Sequence, residues 1–256
     1  MIDPRAIVHI NAELAPDVKV GPFSIIGPDV QIDSGTEIGP HVVINGPTNI
    51  GKDNVIYQFA SIGEDPQDKK YADEITRLDI GDRNIIREFC TMHRGTLQDQ
   101  AVTRVGNDNL FMAYTHVAHD CEVGNHVIMA NGASIAGHVH LDDHAILGGF
   151  TLVHQFTQIG EFSFAAMGSA ITQDIPPYVM VGGRPTRPHG INSVGMERNG
   201  KSPEVIRQIR KAYKILYKNN LRLEDAIEEM EDMAGESNEL SNMVSFLRNV
   251  TRGILR

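Results

Sequence analysis

The amino-acid sequence predicts a mainly β fold: a parallel β-helix of hexapeptide repeats over residues 1–184, followed by an α-helical domain over residues 185–256. Three observations predict it. Aliphatic residues recur at every sixth position, the breaks in this period are two discrete insertions, and the C-terminal segment changes to the 3–4 spacing of amphipathic helices.

The six-residue period begins at Ile2 and runs through eleven aliphatic residues to Ile62. It resumes for three repeats and then for twelve, from Val105 to Ile171, which makes 26 repeats. This period fits neither a helix nor a simple strand, but it suits a coil of three flat sides that each point one aliphatic residue inwards. Residues i and i+18 should then stack about 4.8 Å apart. Glycines that follow the aliphatic residue, such as Gly21, are expected to supply positive φ at the corners.

The C-terminal domain is predicted to contain three helices, after a Pro/Gly-rich exit that follows the last repeat at Ile171. Ser202, Pro203 and Glu204 have the pattern of an N-cap, a proline at the first helical position and an acidic first turn. Apolar residues at helical spacing define the three helices: Ile206, Ile209, Tyr213, Leu216 and Tyr217; Leu223, Ala226, Ile227, Met230 and Met233; Leu240, Met243, Val244, Leu247 and Val250.

Composition excludes several classes of protein. The formal net charge of −10 argues against general nucleic-acid binding, which needs a basic surface. The N-terminus lacks the pattern of a secretory signal, and no stretch approaches the roughly 20 apolar residues of a membrane span. Cys90 and Cys121 lie at small, inward positions of their repeats and do not make a disulfide framework. We therefore expect a cytoplasmic protein with no transmembrane segment.

The two breaks in the period indicate where a site should lie. The interval from Ile62 to the next repeat contains a 12-residue insertion, and the interval from Met92 to Val105 contains one of seven, which predicts inserted loops at 64–78 and 95–104. Insertions in solenoids often build the binding face. When the insertions are excised, both loops leave the β-helix from one column, and that column carries His93, His119, Asp120, Gly137, His138, His154 and Gln155.

A column of histidines has two chemical interpretations. A neutral imidazole can act as a general base near neutral pH, and Asp120 could orient His119 in that role. Alternatively, three histidines could hold zinc, as they do in hexapeptide-repeat carbonic anhydrases. The sequence alone leaves open whether these side chains converge. Because adjacent residues on a flat strand point in opposite directions, contact between Asp120 and His119 requires a corner or a neighbouring subunit.

Six motifs are more specific than the repeat: IYQFASIGE at 56–64, MHRGT at 92–96, HVAHDC at 116–121, AGHV at 136–139, VHQF at 153–156 and TRGILR at 251–256. With them, the whole chain resembles the UDP-N-acetylglucosamine 3-O-acyltransferase family of hexapeptide-repeat transferases. The resemblance implies a left-handed β-helix, although general rules favour right-handed crossovers. It also implies a homotrimer with sites between subunits.

The resemblance implies a reaction, the first step of lipid A biosynthesis. A 3-hydroxyacyl chain passes from acyl carrier protein to the 3-hydroxyl of UDP-N-acetylglucosamine, with no cofactor beyond the carrier's phosphopantetheine and no metal. His119 matches the general base, Asp120 its partner, and the Gly137 N–H the oxyanion donor. Other acyltransferases of this fold, a zinc-dependent lyase and a 3-amino sugar acceptor remain alternatives.

Further positions match substrate contacts of the family. These are Asp68, Lys70, His116, His138 and Gln155, with His93 and His154 beside them and Asn192 and Arg198 in the C-terminal segment. Two positions depart from the family pattern: Val194 replaces an expected acidic residue, and Asn199 stands where a basic pair is common. These departures concern the positions that hold the nucleotide.

Two more assignments concern the acyl donor. The acidic carrier protein needs a basic face, and the first long C-terminal helix offers Arg207, Arg210, Lys211 and Lys214, flanked by Lys201, Lys218 and Arg222. Met167 stacks in a column with Asn131 and Gly149, and it matches a position that is glycine in long-chain members of the family. We therefore expect Met167 to limit the acyl chain to about ten to twelve carbons, since a buried methylene contributes about 0.8 kcal/mol.

Overall fold

The computed structural model describes residues 1–235 and 237–256 and contains a three-sided β-helix followed by four helices. The strands are short because a corner follows each inward aliphatic residue. In chain order they are β1 (Ile7–Val8), β2 (Glu13–Leu14), β3 (Lys19–Val20), β4 (Ile25–Ile26), β5 (Val30–Ile32), β6 (Glu37–Ile38), β7 (Val43–Ile44), β8 (Thr48–Ile50), β9 (Val55–Ile56), β10 (Ser61–Glu64), β11 (Arg77–Ile80), β12 (Ile85–Ile86), β13 (Thr91–His93), β14 (Val102–Val105), β15 (Leu110–Phe111), β16 (His116–Val117), β17 (Glu122–Val123), β18 (Ile128–Met129), β19 (Ser134–Ile135), β20 (His140–Leu141), β21 (Ile146–Leu147), β22 (Leu152–Val153), β23 (Gln158–Ile159), β24 (Phe164–Ala165), β25 (Ala170–Ile171), β26 (Val179–Gly182) and β27 (Arg187–Ile191).

Every third strand joins the same parallel sheet up to β25. Sheet 1 runs from β1 to β25, sheet 2 from β2 to β23, and sheet 3 from β3 through β24 and β26 to β27. Partner residues are 18 apart where no insertion intervenes, as in Val117 opposite Ile135 and Ile135 opposite Val153. The aliphatic residues of the repeat fill the interior, and Ile62, Val117 and Ile135 are completely buried. The 18-residue coil predicted from the sequence is therefore confirmed.

The small inward slots also hold three buried asparagines, Asn54, Asn84 and Asn109. The side-chain oxygen of Asn54 accepts from the backbone N–H of Asn84 at 2.9 Å, and that of Asn84 accepts from Asn109 at 3.0 Å. Buried amides are costly unless they are hydrogen-bonded, so this ladder makes polar residues acceptable in the core. Cys90 and Cys121 are buried free thiols in equivalent slots.

The prediction that the repeat glycines supply positive φ at the corners was wrong for most of them. Gly21 does not have positive φ; it is required because a β-carbon there would lie 2.7 Å from the carbonyl carbon of Gly39 in the next coil. The left-handed residue comes three positions after the aliphatic residue and is often aromatic, as at Phe59 and Phe89. Their rings stack at 5.0 Å between coils, which offsets part of the cost of the left-handed conformation.

The β-helix continues one step beyond the predicted last repeat at Ile171. Ile175 forms a bridge with Ile159, and β26 pairs in parallel with β24. The six-residue period did not predict this coil because Ile175 follows Ile171 after four positions instead of six. The predicted domain boundary at 184/185 falls inside a hairpin, since β27 returns antiparallel to β26.

Four helices follow: α1 (Ser193–Arg198), α2 (Pro203–Lys218), α3 (Leu223–Ala234) and α4 (Asn238–Arg248). The three predicted helices are α2 to α4, and the Ser202 side chain caps α2 as expected by accepting from the N–H of Val205. The short helix α1 was not predicted, because six residues are too few to show a period. Within the described residues, no helix is long and apolar enough to cross a membrane.

Candidate active site

Both insertions lie at the corner between sheet 1 and sheet 2, here called the catalytic corner and defined by residues 118–120 and their equivalents in neighbouring coils. The first insertion connects β10 to β11 and the second connects β13 to β14. Both inserted loops are shorter than predicted, since Glu64 and the segments 77–78 and 102–104 belong to strands. The register therefore places the loops and the histidine column together.

The side chains of His119 and Asp120 are in direct contact at this corner. The distance from His119 Nδ1 to Asp120 Oδ2 is 2.9 Å, and because a carboxylate can only accept, Nδ1 carries the proton and Nε2 keeps a free lone pair. The two neighbours can touch because Asp120 has a φ of 57°, which turns the chain within one chain's own corner. No neighbouring subunit is needed for this contact.

The second insertion surrounds the Asp120 carboxylate. The Thr96 N–H donates to Oδ1 at 2.8 Å and the Thr96 hydroxyl donates to Oδ2 at 2.7 Å, while the Asp120 N–H donates to the Thr103 hydroxyl. Burial raises the pKa of Asp120, but the hydrogen bonds from His119 and Thr96 outweigh it and leave that pKa below its ordinary value. Asp120 is therefore an anion in contact with His119 at neutral pH.

Gly137 lies one coil away, directly against the His119 ring. A β-carbon at Gly137 would come within 2.5 Å of Cε1 and 2.7 Å of Nε2 of His119, so only glycine fits. Within the part of the chain that the structure describes, the Gly137 N–H has no hydrogen-bond acceptor. A backbone donor without a partner and a ring nitrogen thus lie next to each other, and acyl transfer uses a donor and a base in such proximity.

His138 extends the cluster on the side of the second insertion. Its Nδ1 donates to Asp99 Oδ2 at 2.8 Å, its Nε2 is 3.9 Å from Asp120 Oδ2, and its ring stacks on Phe156 at 4.3 Å. The rings of His119 and His138 meet edge to face with centroids 5.2 Å apart. The orientation of His138 is therefore fixed by groups on both sides.

His93 and His116 form a second pair of rings, in a T-shaped contact at 5.0 Å. Burial, with smaller contributions from the neighbouring His93 and His119, lowers the pKa of His116 to about 4. Burial also lowers the pKa of His93, whose Nδ1 has no partner within the described residues. His116 Nδ1 is bonded to the Thr91 hydroxyl at 2.7 Å. Both rings are therefore neutral at pH 7 and can contact a polar ligand without adding positive charge.

A groove of about 440 Å³ opens in front of His119. Sheet 1 forms its floor, the catalytic corner forms one edge, and Gln67 reaches it from the first insertion. Its lining includes four of the predicted site residues, His116, His119, Gly137 and Gln155. The floor is mostly small or apolar, with Ser134, Ile135, Ala136, Leu152 and Val153, so it could accept a polar group at the corner and an alkyl chain along the sheet.

The first insertion carries Asp68 and Lys70, which lie outside this lining. The Asp68 carboxylate accepts from the backbone N–H of Lys70 at 3.0 Å, and the Lys70 side chain is exposed. The sequence prediction missed Arg94, whose buried guanidinium bonds to the Gly63 carbonyl, to Asp65 and to the Tyr71 hydroxyl. Arg94 therefore holds the first insertion against the corner. The feature of the sequence that could have predicted its importance is its position directly after His93.

The other predicted contacts lie elsewhere on the chain. His154 is exposed, and its Nδ1 lies 3.1 Å from the Gln155 carbonyl. Asn192 is buried at the sheet 2–sheet 3 corner, where its amide donates to the Phe162 carbonyl and accepts from the Gly195 N–H. Arg198 is exposed at the end of α1. Met167, 79% exposed, is on the sheet 3–sheet 1 corner. His119, Met167 and Asn192 thus occupy three different corners.

The predicted basic face is only partly free. Arg210, Lys211, Lys214 and Lys218 are exposed on α2 and form no ion pair within the described residues. Arg207 pairs with Glu204, Arg222 pairs with Asp225, and Lys201 turns to Glu239 at 2.9 Å. Lys201 therefore supports the packing of α4 and does not extend the face.

His119, Asp120 and His138 also offer donor atoms within 4.8 Å of one another, which is the spacing of a possible metal site. Nδ1 of His119 donates to Asp120 and Nδ1 of His138 donates to Asp99, so both Nε2 atoms are free, and this tautomer suits a general base and a metal ligand equally. The Asp120 oxygens already accept from Thr96 and His119. A metal at Asp120 would have to displace these hydrogen bonds, which favours the general-base interpretation.

Comparison with known proteins agrees with this geometry. The hexapeptide-repeat transferase family matches residues 11–46 and 103–137, and a family described as UDP N-acetylglucosamine O-acyltransferase, domain 2, matches 174–255. Relatives named acyl-[acyl-carrier-protein]–UDP-N-acetylglucosamine O-acyltransferase are 56% identical in Alkalilimnicola ehrlichii and 52% in Thiobacillus denitrificans, each over 100% of this chain and 99% of the relative. The chain belongs to this acyltransferase family.

Solved structures of UDP-N-acetylglucosamine acyltransferases have the same fold as this chain. The UDP-N-acetylglucosamine acyltransferase of Francisella novicida superposes with a TM-score of 0.98 at 42% identity, covering 100% of this chain and 94% of the other. The Bacteroides fragilis enzyme has a TM-score of 0.98 at 39% identity and full coverage of both chains. The left-handed parallel β-helix with C-terminal helices is confirmed.

Proposed function

We propose that this protein transfers a 3-hydroxyacyl chain from acyl carrier protein to the 3-hydroxyl of UDP-N-acetylglucosamine, the first step of lipid A biosynthesis. Full-length relatives with that activity in their names support it. The structural observation that carries the proposal is the His119–Asp120 pair, with Nε2 of His119 directed at the space beside Gly137.

The chemistry follows from the tautomer of His119. Nε2 takes the proton of the sugar 3-hydroxyl as the oxygen attacks the thioester carbonyl, and Asp120 stabilises the imidazolium that forms. The tetrahedral oxyanion collapses, the C–S bond breaks, and the phosphopantetheine thiolate recovers the proton from His119. All protons and electron pairs balance with no cofactor other than the carrier's own phosphopantetheine and no metal.

The Gly137 N–H is the proposed oxyanion donor, because it is unpaired and adjacent to the base. One preorganised donor of this kind is worth about 3–4 kcal/mol of transition-state stabilisation. His116, His138 and Gln155, on or beside the groove, are the proposed contacts of the sugar, with His93 and His154 beside them. Asp68 and Lys70 are proposed to close over it from the first insertion.

A complete site is proposed to need a homotrimer. Asn192 and Arg198, assigned to the nucleotide, lie on a different corner from His119 in the same chain. An exposed aromatic column on the sheet 3–sheet 1 corner supports association: Phe23, Phe59, Phe89, Tyr114 and Phe150. Apolar surface of this extent marks an interaction site. The proposed location is the cytoplasm, where both the carrier and the nucleotide sugar are available.

The acyl-transfer assay tests the function directly. Purified protein is incubated with 3-hydroxyacyl carrier protein thioesters and either UDP-N-acetylglucosamine or its 3-amino analogue. We expect release of the carrier thiol and a 3-O-acyl product from the first acceptor. Acylation of the amino sugar alone would show a different acceptor, and hydration of carbon dioxide dependent on added zinc would support the lyase.

A further inference from the structure

The second insertion does more than connect β13 to β14, because it also forms several hydrogen bonds to the catalytic corner. Thr96 gives two hydrogen bonds to Asp120, Thr103 accepts one from its N–H, and Asp99 binds His138. Three contacts from this loop and one from strand β14, which follows it, thus fix the two residues that touch or flank the proposed base. Gln98, in the same loop, is exposed and has no side-chain hydrogen bond within the described residues.

We propose that Thr96 is a positioning residue, which sets the tautomer and orientation of His119 by holding the Asp120 carboxylate in place. This inference rests on the proposed function for its catalytic consequence. The side chain of Asp120 is only 1% exposed. Its oxygens therefore have no water to replace a lost protein donor, and Thr96 supplies donors to both of them.

The geometry explains why the hydroxyl matters as well as the backbone. Oδ2 of Asp120 accepts from the Thr96 hydroxyl at 2.7 Å and from His119 Nδ1 at 2.9 Å. With two donors on one oxygen, the carboxylate cannot rotate without losing one of them. If the hydroxyl is removed, the carboxylate can turn away from Nδ1, so it stabilises a protonated His119 less.

Several titratable groups surround His119 and must be considered in any test by pH. Asp120 contacts it from the same corner, and His138 meets its ring from the next coil. His93 and His116 lie on the groove side and act on it through charge alone. Burial lowers the pKa of both, that of His116 to about 4. A change in His119 titration that leaves the His93 and His138 signals unchanged can therefore be assigned to Asp120 and its donors.

The test compares Thr96→Val, which removes the hydroxyl and keeps the shape, with Thr96→Ser, which restores it, and with Gln98→Ala as the matched loop control. NMR of the histidine rings reads the tautomer and titration of His119 in each full-length protein without any substrate. We expect wild type, Thr96→Ser and Gln98→Ala to share the Nδ1–H tautomer. We expect Thr96→Val to show a mixture of tautomers and a titration moved to lower pH.

Steady-state kinetics then measure the consequence. Thr96→Val should lower kcat between about tenfold and a hundredfold, since a small misplacement of a reacting group costs that much, with the KM of both substrates nearly unchanged and the acidic limb of the pH profile moved to lower pH. Unaltered His119 titration and tautomer in Thr96→Val would overturn the proposal. Lack of acyl transfer by wild type would instead reject the proposed function, while the NMR comparison would still decide the role of Thr96.

Discussion

The His119 imidazole lies so close to the α-carbon of Gly137 that a single added methyl group would meet Cε1 at 2.5 Å. The proposed base and the proposed oxyanion donor are therefore fixed relative to each other by contact between two adjacent coils. We expect Gly137→Ala to push the imidazole out of place and to lower kcat by roughly a hundredfold or more. Circular dichroism should show an intact β-helix. Gly149→Ala, at a repeat glycine with space around it, is the control, because a β-carbon there meets only the Asn131 carbonyl oxygen, at 3.4 Å.

His119→Ala should lose about 10²–10⁴-fold in kcat, the usual contribution of a general base. The protein should still fold, because His119 lies on a corner and outside the aliphatic interior. Asp120→Asn should cost less, since it leaves the base in place with weaker orientation. Rates at saturating substrates decide the matter, and activity within a few-fold of wild type would remove His119 from the role.

His116 makes stability depend on pH with a definite sign. Its pKa is about 4 in the folded protein and about 6.5 when unfolded, so between these values the unfolded chain binds a proton that the native protein does not. Stability should therefore fall as pH falls from about 6.5 to 4, by at most about 3 kcal/mol from this residue.

His116→Gln cannot titrate and should lose less stability over the same pH range. Urea unfolding at pH 7 and pH 5 measures the difference, and His9→Gln, at an exposed histidine, is the matched control. If the two variants lose stability equally on acidification, the burial of His116 has no role in the pH dependence.

The free basic residues of α2 should recruit the acidic carrier. Reversing Arg210 and Lys211 to Glu is expected to raise the apparent KM for acyl carrier protein about tenfold at low salt and to weaken its salt dependence. A free pantetheine thioester should be affected much less. Lys52→Glu makes half that change of charge on the β-helix, and a rise in KM in proportion to its charge for that variant would point to overall charge and away from α2.

Met167 should decide acyl chain length if the alkyl chain follows the sheet 1 surface across to its corner. A donor series from eight to sixteen carbons is expected to peak near ten to twelve for wild type and to move to longer chains for Met167→Gly, at about 0.8 kcal/mol for each additional buried methylene. The variant also tests whether the exposed thioether merely packs a subunit contact, since in that case stability would change while the preferred length would not.

The fold and the position of the site followed from periodicity, but the contacts did not. The register alone brought His119, Gly137 and Gln155 to one corner, because coil geometry is the same at every repeat. Thr96 and Asp99 lie in a segment without any period, so their approach to Asp120 and His138 depends on a loop conformation that no spacing encodes.

Two other features were missed for physical reasons. The last coil, at Ile175, was not predicted because its repeat is two residues shorter than the others. The shortening interrupts the six-residue period but leaves the sheet pairing intact. The close approach of coils at Gly21 cannot be distinguished from a need for positive φ by sequence, since both select glycine. Only the observed backbone separates them.

The asparagine ladder passes both insertions without interruption: Asn54 pairs with Asn84 thirty residues on, and Asn84 with Asn109 twenty-five residues on. The stacking of inward side chains between coils is thus unchanged by residues inserted at a corner. A lineage can lengthen, shorten or replace such a loop and acquire new chemistry without disturbing a single core pairing. In this architecture, scaffold and reactivity can evolve as separate modules.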